Sequence, residues 1–116
     1  MYRLKDKEKQ LKSHILDVLA QCRDALNRVS AGAKLVLYGS YAAGLATRES
    51  DLDLLILVAD KLTAEKKKQI RDCLYEISLE NDIVISALIK SSSAWEMPIT
   101  KATPIYNNIQ HYGIAI

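Results

Sequence analysis

Two aspartates set in an apolar run, preceded by a glycine-serine turn, are the residues of this chain whose spacing points most directly to chemistry. Tyr38-Gly39-Ser40-Tyr41-Ala42-Ala43-Gly44 is followed shortly by Ser50-Asp51-Leu52-Asp53-Leu54-Leu55-Ile56-Leu57-Val58. If Leu52–Val58 is a strand, side chains alternate: Asp51, Asp53, Leu55 and Leu57 share one face, and Leu52, Leu54, Ile56 and Val58 the other. The two carboxylates then point the same way, with Cα atoms about 6 to 7 Å apart. They can converge on one or two divalent cations, as phosphoryl and nucleotidyl transfer require. Without a cation, the like charges repel and one pKa rises.

A glycine-serine pair that ends a strand and opens a short helix leaves backbone N–H groups aimed outward, which suits a phosphate. Ser40 adds a hydroxyl donor, Gly39 leaves room for a ligand to approach the backbone, and Gly44 lets the short helix end before the loop. In a purely structural alternative, Gly39-Ser40 is a strand-to-turn connector and Ser50-Asp51 opens the next strand. Asp53 would then need a partner such as Arg48 or Lys34, because an unpaired carboxylate between Leu52 and Leu54 is costly to bury.

The elements that must position these residues are legible from periodicity. Leu11, Ile15, Val18, Leu19, Cys22, Leu26 and Val29 recur at spacings of three and four, which predicts one amphipathic helix over residues 6–29, ended by Ser30-Ala31-Gly32. Residues 34–38 read as a short strand, 46–50 as a polar loop, and the acidic strand stops at Ala59-Asp60. Thr63 is a plausible N-cap for a second helix to about residue 79, with Leu62, Ile70, Cys73, Leu74 and Ile77 as its buried stripe. Lys66, Lys67 and Lys68 read as its solvated face. Residues 82–89, rich in β-branched side chains, predict a third strand on which Asp82, Val84, Ser86 and Leu88 share a face. Thr103-Pro104 opens a last helix that Gly113 closes. Trp95, Tyr106 and Tyr112 suit packing over the sheet first, then a partner contact or stacking on a base, while His14 and His111 lack a second nearby ligand.

At 116 residues, 49% apolar and 26% charged, the chain is expected to form one globular domain, which excludes a bilobed enzyme. A net charge of +2 with interspersed signs gives no footprint for a long nucleic acid. Cys22 and Cys73 fall at apolar helix positions and read as reduced core residues. No stretch has the roughly 18 to 20 apolar residues of a membrane span, and the charged start does not resemble a signal peptide, so a cytoplasmic location is expected.

The joint pattern resembles the minimal nucleotidyltransferases of the DNA polymerase β-like superfamily, whose signature is Gly-Ser, a glycine-containing turn, then Asp-x-Asp on the following strand. Gly39-Ser40 with Gly44, and Ser50-Asp51-Leu52-Asp53, carry that resemblance. It implies an α/β (α+β) fold with a small mixed sheet backed by helices. It also implies a third acid on a neighbouring strand, for which Asp82 is the candidate and Glu80 the alternative. The resemblance further implies that Asp51, Asp53 and Asp82 hold two Mg²⁺ ions and act catalytically, and that Gly39, Ser40 and Ser50 bind the nucleotide, ATP. AMP would pass to a protein hydroxyl with release of pyrophosphate. Relatives of this size are commonly encoded beside HEPN-domain proteins and silence such a toxin by adding AMP to its tyrosine, so a HEPN partner and an antitoxin role are expected. Ala43 stands where many relatives carry arginine, which leaves open a catalytically silent module that neutralises its partner by binding alone. Transfer to a small molecule is a third reading.

Overall fold

The computed structural model describes residues 1–59 and 61–116. Its strands are β1 (Tyr2–Arg3), β2 (Lys34–Tyr38), β3 (Leu52–Val58), β4 (Ile85–Ser91) and β5 (Ile114–Ala115), in the spatial order β1-β5-β2-β3-β4. The helices are α1 (Leu4–Lys7), α2 (Ser13–Val29), α3 (Gly39–Ala43), α4 (Ala64–Asn81), α5 (Ser92–Trp95), α6 (Pro98–Lys101) and α7 (Pro104–Tyr112). This is the mixed sheet backed by helices that the sequence predicts. β2 and β3 are antiparallel, with Tyr38 opposite Asp53 and Lys34 opposite Leu57. β3 and β4 are parallel, with Asp53 opposite Ser86 and Leu55 opposite Leu88. A parallel pair needs a crossover, and α4 supplies it.

Strand alternation divides the sheet into two apolar faces. Leu52, Leu54, Ile56 and Val58 pack with Leu19 and Leu26 of α2 and Ile70 and Leu74 of α4 in the larger core. Leu55 and Leu57 face the other way, onto a smaller cluster built from Val36, Trp95, Tyr106 and Ile109. Trp95 is buried there, its ring centroid 5.1 Å from that of Tyr106. The acidic face of β3 is therefore covered along its C-terminal half and left accessible where the strand begins. Gly113 makes this closure tight: a Cβ there would lie 2.9 Å from Val36 Cγ1 and press on the Ile109 carbonyl oxygen. Its φ of −64° shows that space, not a left-handed backbone, is what the position requires.

The predicted helix over 6–29 is broken. α1 is followed by a 3₁₀ turn (Glu8–Gln10), and Leu11 is extended at φ −104°, ψ 138° before α2 begins. Leu11 turns into the larger core, whereas residues 5–10 are all polar and offer no stripe that would hold a helix against the sheet. The two-residue strands β1 and β5 carry no periodic signal and were not predicted. α4 matches its prediction at the start, where the Thr63 hydroxyl accepts from Lys66 N–H at 3.1 Å. Lys66 is not merely solvated, since its ammonium donates to the Val29 carbonyl at 2.6 Å and ties α4 to the end of α2. The third strand starts at Ile85, not at residue 82. Asp82 instead ends α4 in the left-handed conformation, φ 50° and ψ 46°. The expected stop of β3 includes Asp60, which lies outside the described residues. Among the described residues, no helix is long and apolar enough to cross a membrane.

Leu54 is fully buried between the sheet and its larger helical layer. Leu54→Ala is expected to cost about 2–5 kcal/mol, read as a lower urea midpoint with an unchanged slope, whereas Thr63→Ala should cost about 1 kcal/mol.

Candidate active site

The site is built where β2 ends and β3 and β4 begin. Tyr38 is extended, and the chain then reverses at Gly39, whose φ of +75° belongs to the left-handed region that glycine adopts without strain. The same position has no room for a side chain: an added Cβ would collide with Oδ2 of Asp53 and lie 3.0 Å from its Cγ. The carboxylate of Asp53 thus rests on the glycine of the Gly-Ser turn. α3 follows at once, held on one side by Tyr41 and Ala42 against the larger core and ended by Gly44 at φ +75°. Its N-terminus has no side-chain cap, so its first amides are not consumed by the protein's own side chains.

Asp51 and Asp53 fall on one face, as the alternation predicts. No ion pair neutralises either acid among the described residues. Burial, and then the charge of Asp51, push the Asp53 carboxyl above its ordinary range. Tyr38, its cross-strand neighbour, is likewise pushed up by burial and by the charge of Asp53. The salt-bridge alternative is not realised with Lys34, which sits at the far end of β2 opposite Leu57. Arg48 is exposed and lines a 570 Å³ cavity with Lys12, His14 and Tyr41 on the other side of α3.

Not every predicted site residue gathers here. Ser50 closes the loop, its Oγ accepting from Thr47 N–H at 2.8 Å, which is a structural engagement. Asp82 stands at the end of α4, and no group of three acidic, histidine or cysteine side chains suited to a metal exists among the described residues. The three-carboxylate set expected with Asp82 is therefore not assembled. Glu80 lies beside Gln21 and Arg28 in the α2–α4 layer, on the opposite side of the sheet. The position on the neighbouring strand that faces Asp53 is Ser86, exposed and on the same face because Leu88, two residues on, packs with Leu55. Sequence reading placed Ser86 on a face with Asp82 but lacked the register that puts the serine opposite Asp53. It missed Asn108, which together with Tyr112, an aromatic for which sequence reading allows base stacking, lines a 360 Å³ cavity between α3 and α7 with Gly39, Ser40, Ala43 and Leu45. Their one-turn spacing was the available signal.

The donor set fits one divalent cation. Magnesium binds through one or two carboxylates and otherwise keeps water or takes substrate phosphate oxygens, and an unneutralised carboxylate pair beside uncapped amides offers that combination. A second ion would have no third carboxylate from this site.

Comparison with known proteins gives the family. The family described as Nucleotidyltransferase domain matches residues 19–115. A protein of Methanocaldococcus jannaschii named "Putative protein adenylyltransferase MJ0141" is 33% identical over 108 residues, which cover 93% of this chain and 93% of that protein. Terminal uridylyltransferase cid1 of Schizosaccharomyces pombe is 38% identical over 63 residues, 54% of this chain but 15% of that protein.

Because folding raises the Asp53 pKa, the stability present below the ordinary carboxylate range is lost as pH rises through the folded value. In chelator, Asp53→Asn is expected to melt above wild type at pH 7, the gap closing below about pH 4. Adding Mg²⁺ should raise the wild-type midpoint and leave that of the variant where it was, as thermal melts would read directly.

Proposed function

The chain belongs to the nucleotidyltransferase domain family, and we propose that it transfers an adenylyl group from ATP to a hydroxyl of a partner protein. The observation that carries this reading is the contact of the Asp53 carboxylate with Gly39, which sets the acid pair directly against the Gly-Ser turn. The name and near-complete coverage of the archaeal relative support a protein acceptor.

On this reading, Gly39 and Ser40 hold the β and γ phosphates, and Asp51 and Asp53 hold Mg²⁺. The ion, when bound, polarises the phosphoryl oxygens and offsets charge developing on the entering and leaving oxygens. The acceptor oxygen attacks the α phosphorus, the bond from that phosphorus to the bridging oxygen breaks, and pyrophosphate departs with the electron pair. The acceptor proton is lost to solvent, because Ser86 and not a carboxylate faces Asp53. That favours an acceptor that gives up its proton readily. A phenol, with a pKa of about 10, does so where an aliphatic hydroxyl does not. A tyrosine of a HEPN-type toxin fits this requirement, and its modification would make the chain an antitoxin. The second reading, a silent module that masks its partner, draws on the same serine and on Ala43.

The test is transfer of α-labelled ATP, with Mg²⁺, to proteins of a native-host lysate. Wild type is expected to label a discrete band, and the Asp51→Asn, Asp53→Asn double variant to lose at least about a hundredfold of that label. A partner neutralised equally well by the double variant would sink the transfer reading in favour of masking. Ser86→Asp is expected to raise the rate and flatten its dependence on pH, since a carboxylate there can accept the acceptor's proton.

A further inference from the structure

α7 crosses the acidic face of the sheet with Tyr106 and Ile109 turned into the smaller core. Asn108 and Tyr112, one helical turn apart, line the cavity between α7 and α3. Its floor is Gly39 and Ser40, and Gly39 carries the Asp53 carboxylate on its other side. Anything that fills this space therefore has one end at the Gly-Ser turn and the acid pair. No charged side chain lines it, so beyond the Gly39-Ser40 turn at one end the cavity offers a polyphosphate no counter-charge. Its walls offer instead an aromatic ring 59% exposed and the side chain of Leu45, 75% exposed. Asn108, exposed and also on the lining, makes no side-chain hydrogen bond among the described residues. A carboxamide presents a donor and an acceptor side by side, the pair that matches the N6 and N7 edge of adenine. Exposed Tyr and Leu flanking an amide match a flat heterocycle with a hydrogen-bonding rim.

We infer that the α3–α7 cavity is the nucleoside subsite, with Tyr112 stacking on the base and Asn108 setting the preference for adenine. The inference rests on the transfer reading, since it takes the phosphates to lie at Gly39 and Ser40. It gives α7, whose other side serves the core, a part in choosing the substrate. The cation-lined cavity on the far side of α3, with Lys12 and Arg48, is the rival location.

The experiment is calorimetric titration, with Mg²⁺, of a non-hydrolysable ATP analogue, the matching GTP analogue and inorganic tripolyphosphate. Wild type, Tyr112→Ala, Tyr112→Phe and Asn108→Ala are compared after their melting points are checked. Tyr112→Ala should weaken ATP-analogue binding about tenfold or more, with Tyr112→Phe close to wild type. Asn108→Ala should bring the ATP and GTP affinities together, a change that a merely structural role would not produce. Tripolyphosphate binding should be the same in all four proteins. Wild-type affinity and base preference retained in both alanine variants would overturn the subsite and leave the transfer reading standing. Failure of wild type to bind either analogue or tripolyphosphate would overturn both.

Discussion

The contact between the Asp53 carboxylate and the bare Cα of Gly39 is the constraint on which the rest of this structure turns. It requires glycine twice over, once for a positive φ and once for want of space. It requires the β2–β3 register that sets Tyr38 opposite Asp53, because a slip of one residue would send both acids into the larger core. It also leaves two like charges together without a basic partner among the described residues, one of them half-buried, which carries an electrostatic cost. A cation held by the pair, as the proposed function requires, would offset that cost.

The two faces of the sheet divide the labour of bearing that cost. α2 and α4 cover one face with fully buried Leu, Ile and Val side chains, and this layer supplies most of the burial. The other face is covered only in part by the short helices α5 to α7, anchored by Trp95, Tyr106 and Ile109. Partial cover leaves the beginning of β3 open beside α3. In the proposed reaction the substrate would lie along this open surface, from the acid pair toward α7.

On the neighbouring strand it is Ser86, not a carboxylate, that stands opposite Asp53. In the proposed reaction two carboxylates with a facing hydroxyl would hold one magnesium and a triphosphate without a third carboxylate, among the described residues, to act as base for the attacking group. On that proposal the demand shifts to the acceptor, whose own acidity would have to serve.

By itself the sequence determined most of what depends on neighbours in the chain. The bounds of β2, β3 and α7, the Thr63 cap, the shared face of Asp51 and Asp53, and the Gly-Ser turn all follow from periodicity and residue type. Those signals act over a few residues, where backbone geometry fixes which side chain points where. The family resemblance followed from the same local motif. The break at Leu11, the pairing of the chain ends as β1 and β5, and the replacement of Asp82 by Ser86 opposite Asp53 were decided only by tertiary structure. Each depends on how far one element slides against another, which is set by packing across the sheet and by where α4 stops in its left-handed cap at Asp82. A difference of a few residues in that stop changes which side chain reaches the acids, and the linear pattern of Ile and Val that predicts the strand is the same for either outcome.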